Sequence, residues 1–92
     1  LVDDNASARE IVATMGLSLG MQVDQVANGI EALIAIDKME RSGRRYDLIL
    51  LDEHMPIMGG AHCLRLIRQR PSHRDVRAIL IGSAGGEGSA QV

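Results

Sequence analysis

The sequence predicts an α/β fold, an open parallel sheet doubly wound into three layers with helices on both faces. Strand and helix patterns alternate along the chain, the order that calls for a parallel sheet with right-handed crossovers. Two of the strand patterns, Tyr46 to Asp52 and Ala78 to Ile81, are nearly unbroken apolar runs, as expected of strands covered on both sides. The polar residues that end the strands fall on the carboxyl edge of such a sheet, where open α/β folds bind their ligands.

Leu1-Val2 reads as the end of a first strand, running into Asp3-Asp4-Asn5. From Ala6 to Leu19, Ala8, Ile11, Val12, Met15 and Leu19 recur at helical spacing, with Asn5 or Ser7 as the cap and Ser7 and Glu10 resembling a capping box. Gly20 ends that helix, and Gln22 to Val26 alternates imperfectly, as a short edge strand does. Asn28 caps a second helix whose buried face is Ala32, Leu33, Ala35, Ile36 and Met39. Arg41 to Arg45 is a polar loop before the central strand, which closes on Asp52. A Pro- and Gly-containing loop from Glu53 to Gly60 leads to a third helix with Cys63, Leu64 and Ile67 inward and Arg65, Arg68 and Gln69 outward. Pro71 stops it, and the strand at Ala78 to Ile81 runs out into Gly82-Ser83-Ala84. The residues after that carry no strong pattern.

The 92 residues, against about 100–200 for a typical domain, make one domain over residues 1–92. With 46% hydrophobic and 24% charged residues the composition is that of a globular chain. A net charge of -2 supplies no basic field, and Tyr46 is the only aromatic residue of the Phe, Trp and Tyr class, so direct nucleic-acid binding is not expected. No apolar run approaches the about 20 residues that span a bilayer, and Cys63 is the sole cysteine; no membrane contact and a cytoplasmic setting are the expectation. Cys63 reads as a small buried hydrophobe, Met55 and Met58 as loop packing, and His54 as an exposed loop residue. His62 and His73 have no partner at zinc-binding spacing. Arg65, Arg68, Arg70, Arg74 and Arg77 read as a solvated basic face.

The expected fold brings Asp3, Asp4, Asp52 and Ser83 to one edge although they are far apart in sequence. Three carboxylates so placed repel one another and raise one another's pKa unless a cation sits among them. Mg²⁺ prefers such oxygen ligands and joins carboxylates to phosphoryl oxygens, which points to phosphoryl transfer with Asp52, at the end of the central strand, as nucleophile.

Leu1-Val2-Asp3-Asp4-Asn5, the run Asp47 to Gly60 with its Met55-Pro56 loop, and Ser83-Ala84 after a buried strand together resemble the receiver domain of two-component response regulators or of a hybrid histidine kinase. The resemblance implies a flavodoxin-like fold and a signalling module rather than a stand-alone enzyme. Asp52 then resembles the phosphoacceptor, Asp4 a direct Mg²⁺ ligand, Asp3 an acid holding metal-bound water, and the His54 main-chain carbonyl the remaining protein ligand. Ser83 resembles the switch hydroxyl. The implied partner is a histidine kinase or a histidine phosphotransfer domain. The sequence departs from the family at Gly59, where an acidic or small polar residue is usual. The only lysine, Lys38, lies in the second helix, so the lysine of a fifth strand has no counterpart, and the chain reads as a receiver truncated before the last strand and helices and incomplete at both ends. Two other readings stand beside this one: a pseudo-receiver that binds partners without being phosphorylated, and a metal-dependent phosphatase using an aspartyl-phosphate. The phosphatase lacks a second acid two positions after Asp52, where His54 stands.

Overall fold

A computed structural model describes residues 1–82 and the main chain of 89–91. Its elements are α1 (Ala6–Ser18), α2 (Gly29–Arg41), β1 (Leu48–Asp52), α3 (Gly60–Ile67), a 3₁₀ turn at Pro71–His73, β2 (Arg77–Ile81) and β3 (Ser89–Gln91). β1 and β2 are parallel, Leu48 facing Arg77 through to Asp52 facing Ile81. Val2 bridges both Val26 and Leu51 in parallel fashion, so the spatial order is Val26, Val2, β1, β2, β3.

Where strands were expected at Leu1-Val2 and at Gln22 to Val26, only these single bridges form. The first segment turns at Asp3 after two residues, and the second is an edge held by Val26 N–H to Leu1 O at 3.0 Å and Asp3 N–H to Val26 O at 3.2 Å. β3 pairs antiparallel with β2; it was not expected, because its small and polar residues carry no strand periodicity.

The hand of the crossovers decides the layers. The step from Val2 through α1 to Val26 runs in one direction across the sheet, whereas those through α2 and α3 run in the other. Right-handed connections therefore put α1 on one face and α2 with α3 on the opposite one. The β1 and β2 residues that alternate toward the α2/α3 side, Ile49, Leu51, Ala78 and Leu80, are buried with Val2, Ala32, Ile36, Cys63, Leu64 and Ile67 as one core. Leu51 and Ile67 are wholly enclosed, each side chain contributing about 1.5–3 kcal/mol by leaving water. Cys63 fills the seam between α3 and the start of α2, and burial pushes its thiol up to about 11, so it behaves as a hydrophobe.

Both long helices are capped by asparagine. Asn5 Oδ1 accepts from Ala8 N–H and Asn28 Oδ1 from Glu31 N–H, each at 2.9 Å; such caps contribute about 1 kcal/mol. Asn5 is thus the cap of α1, and Ser7, the other candidate, lies inside the helix. The inward face of α1 also differs from the expected stripe: Ala13 is buried, while Ile11, Met15 and Leu19 are 62%, 59% and 76% exposed. The close approach on this helix is at Gly16, where a Cβ would meet Val23 Cγ2 at 2.9 Å, with Ala8 and Val12 half-buried. α1 docks by its small residues, which permit close approach, rather than by its wide ones.

The expected basic face is only partly a solvated one. Arg70 Nε pairs with Asp37 Oδ1 at 3.0 Å and holds the segment that follows α3 to α2. Arg68 donates to Val76 O at 2.9 Å instead of pointing outward as expected. Arg65, Arg74 and Arg77 are exposed. No helix among the described residues is long and apolar enough to cross a membrane.

Candidate functional site

The pairing of Val2 with Leu51 sets Asp3 and Asp4 beside Asp52. Val2 N–H donates to Leu50 O, and Asp52 N–H donates to Val2 O, both at 2.8 Å. The two chains therefore leave the sheet side by side at its carboxyl edge. One carboxylate oxygen from each of Asp3, Asp4 and Asp52 lies within 4.8 Å of the others. Asp3 and Asp52 are half-buried and Asp4 is exposed. Three of the sequence-derived site residues are thus brought together.

His54 follows two residues after Asp52, and its main-chain N–H donates to Asp52 Oδ1 at 3.0 Å. Its side chain is exposed, as expected. Burial raises the Asp52 carboxyl above the usual carboxylate range; the adjacent Asp4 and Asp3 carboxylates add to the rise and the His54 N–H opposes it. Among the described residues, the acids at this edge therefore repel one another more than neighbouring groups offset at Asp52. Ser83 lies outside the described residues.

The loop after β1 is shaped around this edge. Glu53 N–H donates to Ile81 O at 3.0 Å and ties the loop to the end of β2. Met55 is buried, Met58 packs against the core, and between them Pro56 O accepts from Met58 N–H at 2.7 Å. That three-residue turn puts Ile57 at φ 70° with its side chain 98% exposed, a conformation a β-branched residue rarely adopts. Gly60 opens α3 directly under the site, where a Cβ would stand 2.7 Å from Asp52 O. Sequence reasoning singled out neither Ile57 nor Gly60, nor Arg9, whose Nη1 donates to Asp3 O at 2.7 Å. The Gly-Gly pair was a legible signal for close approach; the other two residues left none.

The donor set fits a hard divalent cation. Oxygens about 2.1 Å from Mg²⁺ stand about 3 Å apart when adjacent in an octahedron and about 4.2 Å when opposite, so carboxylate oxygens within 4.8 Å of one another would close by at most about 2 Å per pair to share one ion, a change that side-chain rotation can supply. All are carboxylate oxygens, the ligands Mg²⁺ prefers.

The profile of the response regulator receiver domain matches residues 1–91. Over 68 residues the chain is 43% identical to probable histidine kinase 1 of Oryza sativa subsp. indica, covering 74% of this chain and 6% of that protein. Over 87 residues it is 37% identical to the cyclic di-GMP phosphodiesterase response regulator RpfG of Xanthomonas campestris pv. campestris, covering 95% of this chain and 22% of that protein. The chain therefore spans a small part of the length of these relatives. The solved structure of the Vibrio cholerae chemotaxis protein CheY4 is similar with a TM-score of 0.75 and 28% identity, covering 87% of this chain and 62% of that one. The expected flavodoxin-like fold is accordingly the observed one. Since the parallel sheet, the acid edge and the matched profile coincide over nearly the whole chain, it belongs to the response regulator receiver domain family of two-component systems.

Proposed function

We propose that this receiver accepts a phosphoryl group on Asp52 from a phosphohistidine in a Mg²⁺-dependent reaction. The observation that carries the reading is the convergence of the Asp3, Asp4 and Asp52 carboxylates within 4.8 Å at the end of the central strand. Asp3, Asp4, Asp52 and the His54 main-chain carbonyl would hold the ion. Bound there, Mg²⁺ supplies positive charge that offsets the carboxylates and the oxygens of the transferring group.

Asp52 attacks as the carboxylate, oriented by the His54 N–H. A bond forms between its oxygen and phosphorus while the P–N bond of the donor breaks. The electron pair leaves with the imidazole nitrogen, which takes up a proton. Attack of water on phosphorus later releases inorganic phosphate and restores the Asp52 carboxylate. The added oxygens and charge favour one of two arrangements of the surrounding surface, with Ser83, two residues beyond β2, assigned the switch hydroxyl from sequence. The donor is a histidine kinase or a histidine phosphotransfer domain; proteins named as histidine kinases are among the relatives.

The test is intact-protein mass after incubation with acetyl phosphate, with and without Mg²⁺. A Mg²⁺-dependent gain of one phosphoryl group that is lost in Asp52→Asn is expected. A folded protein that gains none would overturn the reading in favour of a pseudo-receiver.

A further inference from the structure

Asp4 is the most exposed of the three acids, and its carboxylate stands beside those of Asp3 and Asp52, groups of its own charge. Its own side-chain bonds therefore do not fix where it stands; the peptide that precedes it does. Asp3 is pinned on two sides, by its N–H to Val26 O at 3.2 Å and by Asn5 N–H to its Oδ1 at 2.9 Å. The Asp3–Asp4 peptide plane is pinned by one side chain, Arg9, whose Nη1 donates to Asp3 O at 2.7 Å. Because the peptide is planar, holding that oxygen sets the direction in which the Asp4 Cα leaves. Arg9 can do this because its own backbone is fixed: its N–H donates to Asn5 O at 2.9 Å in the first turn of α1, next to the Asn5 cap. Among the described residues the Arg9 guanidinium forms no ion pair with a carboxylate; it binds a carbonyl one peptide away from the acid cluster.

We infer that Arg9 is a positioning residue for the divalent cation, acting through the Asp3–Asp4 peptide to hold the Asp4 carboxylate in reach of the ion that Asp3 and Asp52 share. The inference rests on the cation site proposed above. Residues that orient metal ligands typically account for about 10–100-fold in affinity, and Arg9 falls in that class.

The experiment is calorimetric titration of the whole chain with Mg²⁺, for wild type, Arg9→Met, Arg9→Lys, Asp4→Asn and the Arg9→Met/Asp4→Asn double variant, each checked for folding by circular dichroism. Arg9→Met should weaken Mg²⁺ binding about tenfold, and Arg9→Lys, which keeps a donor on a long stem, should recover part of the loss. In the Asp4→Asn background, removing Arg9 should change the affinity no further, because the group it positions is gone. An unchanged affinity in Arg9→Met, or additive losses in the double variant, would overturn the role of Arg9 while leaving the cation site standing. Should Arg9→Met fail to fold, Arg9→Lys alone decides: an affinity equal to that of wild type, or the same loss in the Asp4→Asn background as in the wild-type background, overturns the inference. Absence of Mg²⁺ binding by wild type would instead remove the site on which the inference rests.

Discussion

The main-chain N–H of Tyr46 donates to Nε2 of His73 at 2.9 Å, joining the turn after α3 to the segment that leads into β1. His73 is fully enclosed. With Nε2 accepting, its proton sits on Nδ1, 2.7 Å from Ser72 Oγ, and Ser72 N–H in turn donates to Glu40 Oε2 at 3.0 Å. Tyr46 continues the chain of contacts through its hydroxyl, which donates to Asp24 Oδ2 at 2.6 Å; burial and that carboxylate push the phenol up to about 12. This network lies at the edge of the sheet opposite the acids.

Acid should loosen this end of the molecule first. Burial holds the His73 pKa below the ordinary 6.5, with Arg45 acting in the same sense and Glu40 against it. A protonated imidazole would present a second N–H to the Tyr46 N–H. Below pH 6.5 the unfolded chain binds more protons at this residue, so its contribution is full above that pH and is lost as the pH falls through the native value. The urea midpoint should drop between pH 7 and pH 5, with a shallower drop in His73→Gln. A slope unaltered by that substitution would show that His73 is not the source.

At the opposite edge, the raised pKa of Asp52 gives the reverse sign. The native state binds its proton more tightly than the unfolded chain, so stability falls as the pH rises through the window above the ordinary carboxylate value and stays lower at pH 7. Asp52→Asn should therefore melt at a higher temperature than wild type in EDTA. Mg²⁺ should raise the melting temperature of wild type more than that of the variant. A variant that melts lower than wild type in EDTA would contradict the repulsion argued here.

Gly60 allows α3 to start against the main chain of Asp52, the proposed acceptor. Gly60→Ala sets a methyl group 2.7 Å from Asp52 O and 3.0 Å from Leu80 Cδ2, and overpacking of this kind costs about 1–3 kcal/mol. Because the strained atom belongs to Asp52, phosphorylation by acetyl phosphate should slow as well. Equal stability and equal rate in the variant would mean that the helix start is more pliant than its packing indicates.

Ile57 stores strain without burying anything. Its φ of 70° is open to glycine and unfavourable by about 1–2 kcal/mol for a residue with a Cβ, and its exposed side chain contributes no packing. Ile57→Gly should stabilise the protein by up to about 1 kcal/mol, the relief being offset by the freer unfolded chain. Denaturant unfolding of the two proteins measures this directly, and a loss of stability would show that the turn is not strained at Ile57.

The acid edge was legible because it needs only strand ends and a parallel order, and both are local patterns: the apolar run closing on Asp52 and the short Leu1-Val2 run before Asp3. What escaped depends on which distant groups meet. The periodicity of α1 marked Ile11 and Met15 as apolar but could not show that Gly16 and Val23 would set the docked face. His73 looked like an isolated histidine, since its partner is a backbone N–H 27 residues away. The arginines read as one charged stretch, yet Arg70 reaches across to Asp37, 33 residues away. Ser7 and Glu10 matched a capping box, but Asn5 lies at the turn itself and takes the Ala8 N–H first. A hydrogen bond between remote segments leaves no period in the sequence.

Asp52, and neither Asp3 nor Asp4, is the residue proposed to become the acyl phosphate. Treating the acetyl-phosphate-labelled protein with borohydride reduces an aspartyl phosphate to homoserine, and peptide mass spectrometry locates the change. Conversion at Asp52 alone, dependent on Mg²⁺, is the result predicted here; conversion at Asp3 or Asp4, or none in a folded sample, would contradict it.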